Sequence, residues 1–360
     1  MSKNLIRGHW FASMFCFAFT CSLSAATAPL QVGFVYLSPI GQAGWTYEHD
    51  QARQAMQRSL GDKVSTRFVE AVPEGADAER VMRDLAAQGS QLIFATSFGY
   101  LEPALRAAAD LPGVKFEHAG GYKTAPNLNT YNARFYEGRW LAGWLAGKSS
   151  PRGVAGYVAG FPVPEVVQGI NAFTLGMQAA NPKAVVRVLW LNTWFDPTKE
   201  REAALALINA GADVLTNHSG SPAVPQAAEE KGVKVIGYQS DMRAHAPTAQ
   251  LAAVTADWGG YYTRVAQSVI AGTWQARPVW GGMKDGMVKL SAVSPSVPPA
   301  VRRELAAREK ALVNGKAAPF SGRLVDQGGR VRNERGALAA DAIARMDWFV
   351  QGVSGTLPRP

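Results

Sequence analysis

The segment Val32–Arg53 is the part of the sequence that most constrains the fold. It opens with an apolar run, VGFVYL, of β-strand composition, which is followed by a turn rich in Gly and Pro over residues 38–44. Trp45 comes next, and a polar segment from about Tyr47 is typical of a helix. In an open α/β sheet, ligands collect where strand C-termini meet helix N-termini. Trp45 could therefore offer a flat face to a planar ligand, or it could simply pack the first helix onto its sheet.

The same alternation of strand and helix continues along the chain. Strand-like runs and helices follow one another from Ser65 to Phe135, and a second series of similar size runs from Val154 to Ser240. This alternation predicts parallel sheets that are covered by helices on both faces. Two series predict two similar lobes, and right-handed crossovers would place the ligand-binding turns of both lobes along one cleft.

The first 26 residues are typical of a secretory signal peptide. Lys3 and Arg7 precede the apolar run Trp10–Phe19, and small residues follow, so we expect cleavage after Ala26. The later sequence contains no other long apolar stretch. We therefore expect a mature protein that is soluble in the periplasm.

Both cysteines of the chain, Cys16 and Cys21, lie inside this signal. The mature protein is therefore expected to have neither disulfides nor thiol chemistry. Cys21 stands in a poor context for lipidation, so we do not expect a lipoprotein.

Composition and motifs exclude several classes of function. The net charge is +9, but no strip of basic residues is interleaved with aromatic residues, which argues against nucleic-acid binding. The sequence has no phosphate-binding loop, no Gly-x-Ser-x-Gly and no His-x-x-x-His pair. The adjacent His49 and Asp50 could act as an acid–base pair, but no nucleophile stands near them in sequence. We therefore predict no catalytic residue, no metal and no cofactor.

Aromatic and polar residues follow several of the predicted strands. The aromatic residues are Trp45, Phe98 and Trp194-Phe195, and the polar groups are Asn132, Arg134, His218-Ser219-Gly220-Ser221 and Ser240-Asp241. Aromatic faces with a few directional polar groups suit a planar heterocycle that has hydrogen-bonding edges. The alternative is that the aromatic residues only fill the interface between the lobes.

Several longer runs make the sequence similar to a known family. They include Gly44-Trp45-Thr46-Tyr47, Thr96-Ser97-Phe98-Gly99-Tyr100, Tyr131-Asn132-Ala133-Arg134-Phe135-Tyr136-Glu137, Pro164-Glu165-Val166-Val167-Gln168-Gly169-Ile170-Asn171, Trp194-Phe195-Asp196-Pro197, Ser240-Asp241-Met242, Gly282-Met283-Lys284-Asp285-Gly286 and Met346-Asp347-Trp348. Together they resemble the basic membrane protein family, the purine-nucleoside receptor-like substrate-binding proteins of ABC transporters. The resemblance covers nearly the whole mature chain. It implies a type I periplasmic binding protein of fold class α/β, with two Rossmann-like lobes joined by a three-segment hinge.

The resemblance also implies lobe boundaries. Residues 29–132 and about 258–280 would form the N-terminal lobe, and about 133–257 with 281–326 the C-terminal lobe. Residues 327–360 would form a tail packed on the lobes, with a hairpin at Gly328-Gly329 and a closing helix at Asp341–Val350.

The resemblance further assigns roles to individual residues. Trp45 and Trp194 would stack on the two faces of the base, and Gly220, Asp241 and Lys284 would hold a ribose. The family reads the base with asparagine and aspartate, whereas here Glu48 and His49 follow Trp45, and Asn132 stands near the expected aspartate. This departure indicates a changed ligand edge. Asn132, Arg134, Glu48 and His49 are our candidates to read it, and Phe98, His218 and Ser219 complete the predicted site.

The predicted function is a periplasmic receptor that captures a purine, with free adenine first, and delivers it to the permease of an ABC importer. The motifs Gly44-Trp45-Thr46-Tyr47 and Ser97-Phe98-Gly99-Tyr100 look most like the adenine-binding branch of the family. The alternatives are a purine nucleoside receptor, an exported nucleoside hydrolase and a sensory module. A monomer is the expected oligomeric state. A repressor is excluded by the signal peptide and the absence of a helix-turn-helix ahead of the first lobe.

Overall fold

The structure is a computed structural model that describes residue 1 and residues 28–358. The predicted signal peptide, its cleavage site, both cysteines and the lipidation question lie outside these residues. Within them, none of the helices is both long enough and apolar enough to cross a membrane.

Strands and helices alternate through most of the described chain. In chain order the elements are β1 (Leu30–Val35), α1 (Trp45–Leu60), β2 (Val64–Val69), α2 (Ala76–Ala87), β3 (Leu92–Ala95), α3 (Leu101–Asp110), β4 (Lys115–Ala119), β5 (Leu128–Ala133), α4 (Phe135–Ser149), β6 (Val154–Ala159), α5 (Pro164–Ala180), β7 (Val185–Trp190), α6 (Pro197–Asn209), β8 (Val214–His218), α7 (Ala223–Lys231), β9 (Lys234–Gln239), β10 (Gln250–Ala256), α8 (Gly259–Ile270), β11 (Val279–Gly281), β12 (Val288–Leu290), α9 (Pro299–Val313), β13 (Leu324–Val325), β14 (Val331–Asn333), α10 (Ala340–Ala344) and β15 (Val353–Ser354).

The N-terminal lobe is built on a six-stranded sheet in the order β11-β5-β4-β3-β1-β2. All of its strand pairs are parallel. The central strands are buried on both faces, which is why they read as continuous apolar runs in the sequence. Helices α2 and α3 pack on one face in a cluster that includes Tyr100, while α1 and α8 pack against each other on the other.

The C-terminal lobe is built on a seven-stranded sheet in the order β12-β10-β9-β8-β6-β7-β15. Only β12 runs antiparallel to its neighbour. Helices α4 and α5 pack on it as a close pair in which two glycines face the other helix. A Cβ atom at Gly143 would lie 2.0 Å from the carbonyl oxygen of Phe173, and one at Gly176 would lie 1.9 Å from that of Trp140. The absence of side chains at both positions therefore permits this close packing.

The chain crosses between the lobes three times, at Arg134, at residues 257–258 and at residues 282–287. The crossings are hydrogen-bonded to one another. The amide of Arg134 donates to the carbonyl of Gly281 at 2.6 Å, and that of Asp257 donates to the carbonyl of Met287 at 3.0 Å. The guanidinium of Arg134 also pairs with Asp285 at 3.0 Å. The three crossings form one connected hinge.

The C-terminal segment follows its predicted course only in part. The hairpin expected at Gly328-Gly329 is present as β13 and β14. The closing helix predicted over residues 341–350 is wrong in length, because α10 ends at Ala344. Beyond it, Asn171 of α5 donates to the carbonyl of Trp348 at 2.7 Å and accepts from the amide of Val350 at 2.9 Å. These tertiary hydrogen bonds satisfy the backbone groups that a longer helix would have paired internally.

Candidate ligand-binding site between the lobes

A cavity lies where the C-terminal ends of strands from both sheets meet. It holds about 610 Å³ of empty space, including the part that is open to solvent. Its lining residues come from both lobes: Leu37, Ser38, Trp45, Thr46, Ser97, Phe98, Ala119, Gly120, Val163, Glu165, Trp194, Phe195, His218, Ser219, Gly220, Tyr238 and Gln239. Carbon-rich walls with a few polar groups are typical of small-molecule sites.

The N-terminal wall of the cavity is centred on Trp45, the first residue of α1. Its indole Nε1 donates to the carbonyl of Thr96 at 2.6 Å. The ring of His49 meets the indole edge-on at 4.3 Å between centroids, and His49 in turn stacks on Trp258 at 5.3 Å. Trp45 is therefore held from behind by a packed aromatic layer, and its orientation does not depend on a ligand.

His49 belongs to this supporting layer and not to the cavity lining. It is fully buried, its Nδ1 is hydrogen-bonded to the hydroxyl of Tyr262, and burial lowers its pKa to about 3. Asp50 faces other partners, Arg53 at 2.7 Å and Gln54 at 2.7 Å. The acid–base pair considered from the sequence is therefore not formed in this structure.

The C-terminal wall carries Trp194, in the loop between β7 and α6. Its ring packs edge-on against Phe161 at 4.9 Å between centroids. It also covers Gly160, where a Cβ atom would lie 2.7 Å from the indole. Trp45 and Trp194 thus line one cavity from opposite lobes.

Glu165, in the first turn of α5, is the carboxylate among the residues that line the cavity. Its Oε2 accepts from Asn132 Nδ2 of the other lobe at 2.8 Å. Its Oε1 lies 3.4 Å from Nε2 of His218. Burial lowers the pKa of His218, although Glu165 opposes this shift, so the ring is neutral at physiological pH. The carboxylate is therefore fixed by partners from both lobes.

The loop Ser219–Ser221 is fixed by Glu200 of α6, a buried residue outside the cavity. Glu200 Oε2 accepts from the hydroxyl of Ser219 at 2.8 Å and from that of Ser221 at 2.7 Å. Burial raises the pKa of Glu200 to about 7, and these hydrogen bonds only partly offset the effect. Glu200 therefore positions the loop that contributes Ser219 and Gly220 to the cavity.

The lobes touch each other beside the cavity at Gly44, the residue before α1. Its amide donates to the hydroxyl of Ser240 at 2.8 Å across the cleft. A Cβ atom at Gly44 would lie 2.1 Å from the carbonyl oxygen of Gly220, and its φ of +94° is in the region that favours glycine. The cleft is therefore closed in this structure, and the contact needs glycine at position 44.

The structure brings together half of the residues that the sequence suggested for the site. Those that line the cavity are Trp45, Phe98, Trp194, His218, Ser219 and Gly220. Asn132 and His49 lie one layer behind it, bonded to Glu165 and packed on Trp45, respectively.

Four other predicted residues lie outside the cavity. Arg134 is part of the hinge, bound to Glu137 and Asp285, and Lys284 lies beside it on a second cavity. The exposed Asp241 accepts from Gln250 Nε2 at 2.6 Å. Glu48 is half-buried, and burial together with the nearby Asp257 raises its pKa to about 8.

Sequence reasoning missed several residues that line the cavity. Gln239 ends β9, and Glu165 lies in the first turn of α5. Ser38 and Thr46 share a 2.8 Å hydrogen bond between their hydroxyls. The predicted strand ran to Ser240, one residue past the end of β9. With the correct end, the rule that ligands gather at strand C-termini would have pointed to Gln239. Among residues 28–358, no group of three or more metal-ligating side chains is assembled.

Comparison with known proteins gives a family and supports the fold. Residues 30–318 match the family described as ABC transporter substrate-binding protein PnrA-like. The chain is 48% identical over 335 residues to a purine-binding protein of Brucella abortus, covering 93% of this chain and 95% of that one. It is 38% identical to a putative ABC transporter glucose-binding protein of Haloferax volcanii, covering 91% and 81%.

A solved structure confirms the predicted fold class. An ABC transporter solute-binding protein of Aeropyrum pernix superposes with a TM-score of 0.69 at 16% identity, covering 88% of this chain and 95% of that one. The two-lobed type I periplasmic binding protein fold inferred from the sequence is therefore correct.

Proposed function

Because this chain belongs to the PnrA-like family of ABC transporter substrate-binding proteins, we propose that its cleft captures a free purine, with adenine as the first candidate. The observation that carries the proposal is the pair Trp45 and Trp194, which line one cavity from opposite lobes. Each indole face can stack on a planar base, which contributes about 1–3 kcal/mol per base. Closure on such a ligand would bring stacking partners from both lobes into one complex.

The fixed carboxylate of Glu165 suits a free purine, and the positions of two predicted ribose ligands favour a base over a nucleoside. An ionised carboxylate only accepts hydrogen bonds, so the ligand must present a donor to it. A free purine carries a ring N–H in its imidazole half, which a nucleoside has replaced with the glycosidic bond. Adenine adds the donors of its 6-amino group. Of the three predicted ribose ligands, Gly220 lines the cavity, whereas Asp241 and Lys284 lie outside it.

The relative from Brucella abortus, named for purine binding, adds support for this ligand class. The second candidate ligand is a sugar, because the relative from Haloferax volcanii is named a putative glucose-binding protein and aromatic faces also pack on sugar rings. The amide and carboxylate groups of the cavity could hydrogen-bond to sugar hydroxyls. Glucose therefore belongs in the test as a competing ligand.

We propose that the protein acts in the periplasm and delivers its ligand, as a monomer, to the permease of an ABC importer. The closed form would be the state that the permease recognises. The family that the chain matches is described as ABC transporter substrate-binding proteins, which argues against catalysis. The hydrolase alternative predicts turnover of adenosine or inosine, which chromatography of an incubated nucleoside would reveal.

The test is native mass spectrometry of the purified protein, followed by identification of any released small molecule. Calorimetric titration with adenine, adenosine and glucose then ranks the ligands. Released adenine, or tightest binding of adenine, supports the proposal. Tightest binding of adenosine or of glucose, or no binding of any purine, would contradict it.

A further inference from the structure

Gln239 lines the cavity, and among residues 28–358 its side-chain amide lacks partners at both ends, whereas His218 lacks one only at Nδ1. The side chain of Gln239 is 2% exposed, and neither its amide oxygen nor its amide nitrogen has a hydrogen-bond partner among the residues that the structure describes. A buried polar group without a partner destabilises the folded protein. Glu165 also lines the cavity, but its carboxylate has partners. It accepts from Asn132 and lies within reach of His218.

The backbone of Gln239 adds a second cost. Its φ is +67°, one of only three positive values at non-glycine positions among the described residues. A non-glycine residue in this region is strained, and such residues cluster at ligand-binding sites. Gln239 ends β9 exactly where the sheet meets the cavity. Strain and unpaired amide atoms therefore coincide at one cavity-lining residue.

We infer that Gln239 reads the polar edge of the purine with both halves of its amide, and that it accepts bases with either a 6-amino or a 6-oxo group. The amide offers a donor and an acceptor side by side, which complements the donor–acceptor pair of adenine's edge. Rotation of the amide by 180° exchanges the two and complements the reversed pair of hypoxanthine. No partner among residues 28–358 holds the amide in one orientation. This inference rests on the proposed function.

The consequence is a relaxed specificity at position 6 of the ring. A site whose polar groups are fixed rejects a ligand of reversed polarity by several orders of magnitude, because buried groups are then left unpaired. A freely turning amide avoids that loss. We expect adenine and hypoxanthine to bind within about tenfold of each other, with Glu165 supplying the remaining preference.

The test compares adenine and hypoxanthine by calorimetry in the wild type and in Gln239→Met. Methionine keeps the length of the side chain and removes both hydrogen-bonding groups. Both ligands should therefore bind at least tenfold more weakly, while the ratio of their two affinities stays within threefold of the wild-type ratio. Gln239→Asn, whose shorter side chain tolerates the left-handed backbone, should also weaken both ligands and guards against a folding defect in the first variant.

Gln168→Met is the matched control. Gln168 is equally buried, but it lies outside the cavity and donates to the carbonyl of Ile343 at 2.8 Å. This variant should melt at a lower temperature and change the affinity for either base by less than twofold. Unchanged affinity in both Gln239 variants, or a wild-type ratio above a hundredfold, would overturn the inference alone. A wild type that binds no purine would instead overturn the proposed function.

Discussion

The two walls of the cleft differ in how their side chains are held. On the N-terminal side, Trp45 is fixed by the carbonyl of Thr96 and by the ring of His49 behind it. On the C-terminal side, the amide atoms of Gln239 have no partner within the described part of the chain, and the loop Ser219–Ser221 is held by hydrogen bonds to Glu200. The N-terminal wall thus presents one indole, that of Trp45, on a rigid support. The C-terminal wall combines the second indole, Trp194, with the polar side chain that we propose reads the ligand.

The largest effect is expected where the walls touch. Gly44→Ala would place a methyl group 2.1 Å from the carbonyl oxygen of Gly220, so the cleft could not close and affinity should fall at least about a hundredfold. Gly41→Ala is the matched control, because Gly41 also has positive φ (+60°) but nothing nearer than 4.0 Å. Small-angle scattering and titration with adenine would measure both. If both variants lose the same affinity, backbone strain at positive φ, and not blocked closure of the cleft, is the cause of the loss.

The next largest effects are expected at the two stacking residues, one on each wall. Trp45→Ala and Trp194→Ala should each weaken purine binding by about ten- to a hundredfold, the equivalent of one lost stacking face. Trp45→Ala should also lower the melting temperature, because Trp45 supports the aromatic layer of His49 and Trp258, whereas Trp194→Ala should leave the fold intact.

Trp190→Ala is the control for loss of a tryptophan outside the cavity. Trp190 is a half-buried residue that donates to the carbonyl of Thr356 at 3.0 Å. It should reduce stability and leave affinity unchanged. An unchanged affinity in Trp194→Ala would remove that residue from the stacking role.

A smaller effect is expected in the pH dependence of stability, through Glu200 behind the C-terminal wall. The pKa of Glu200 is raised to about 7, so between about pH 4.5 and 7 the folded protein holds a proton that the unfolded chain has lost. Its contribution to stability is complete below pH 4.5 and is lost as pH rises through 7. Relative to Glu200→Gln, the wild type should therefore lose about 1–2 kcal/mol of unfolding free energy between pH 5 and 7.

Denaturant unfolding of both proteins at the two pH values measures this difference. Contributions from buried histidines such as His49 are common to both proteins and cancel. A difference that does not change with pH would mean that Glu200 is already ionised in the folded protein at pH 5.

The smallest effect is expected at the exposed residues outside the cavity. Asp241→Asn and Lys284→Met should each change the affinity for a free purine by less than about twofold, since neither side chain lines the cavity. Titration with adenine and with adenosine measures this. A loss of ten times or more for adenosine alone would support the nucleoside receptor and argue that the lobes rearrange to reach the ribose.

The sequence predicts the fold better than it predicts the site. Strand and helix alternation, together with the run Val32–Leu37 and its glycine turn, depends on local patterns that the chain carries directly. The site depends on which strand ends meet after folding. Trp45 and Trp194 were found because both follow strands and both are large aromatic residues in a family motif.

The residues that were missed, or that lie elsewhere, have physical explanations. Arg134 follows β5, but the hinge carbonyl of Trp280 and the carboxylate of Asp285 bind its guanidinium away from the cavity. Glutamine is not a residue type that signals a binding site. Only the burial of Gln239, the missing partners of its amide within the described chain and its backbone conformation identify it as a candidate. None of these properties is visible before the two lobes are assembled.

The three crossings have a consequence for biosynthesis. The N-terminal sheet receives its edge strand β11 only after Gly281 has been made, and the C-terminal sheet receives β12 and β15 only after Leu290 and Ser354. Neither half of the chain carries all the strands of one sheet. A nascent chain therefore cannot complete either sheet until most of the polypeptide has been translated.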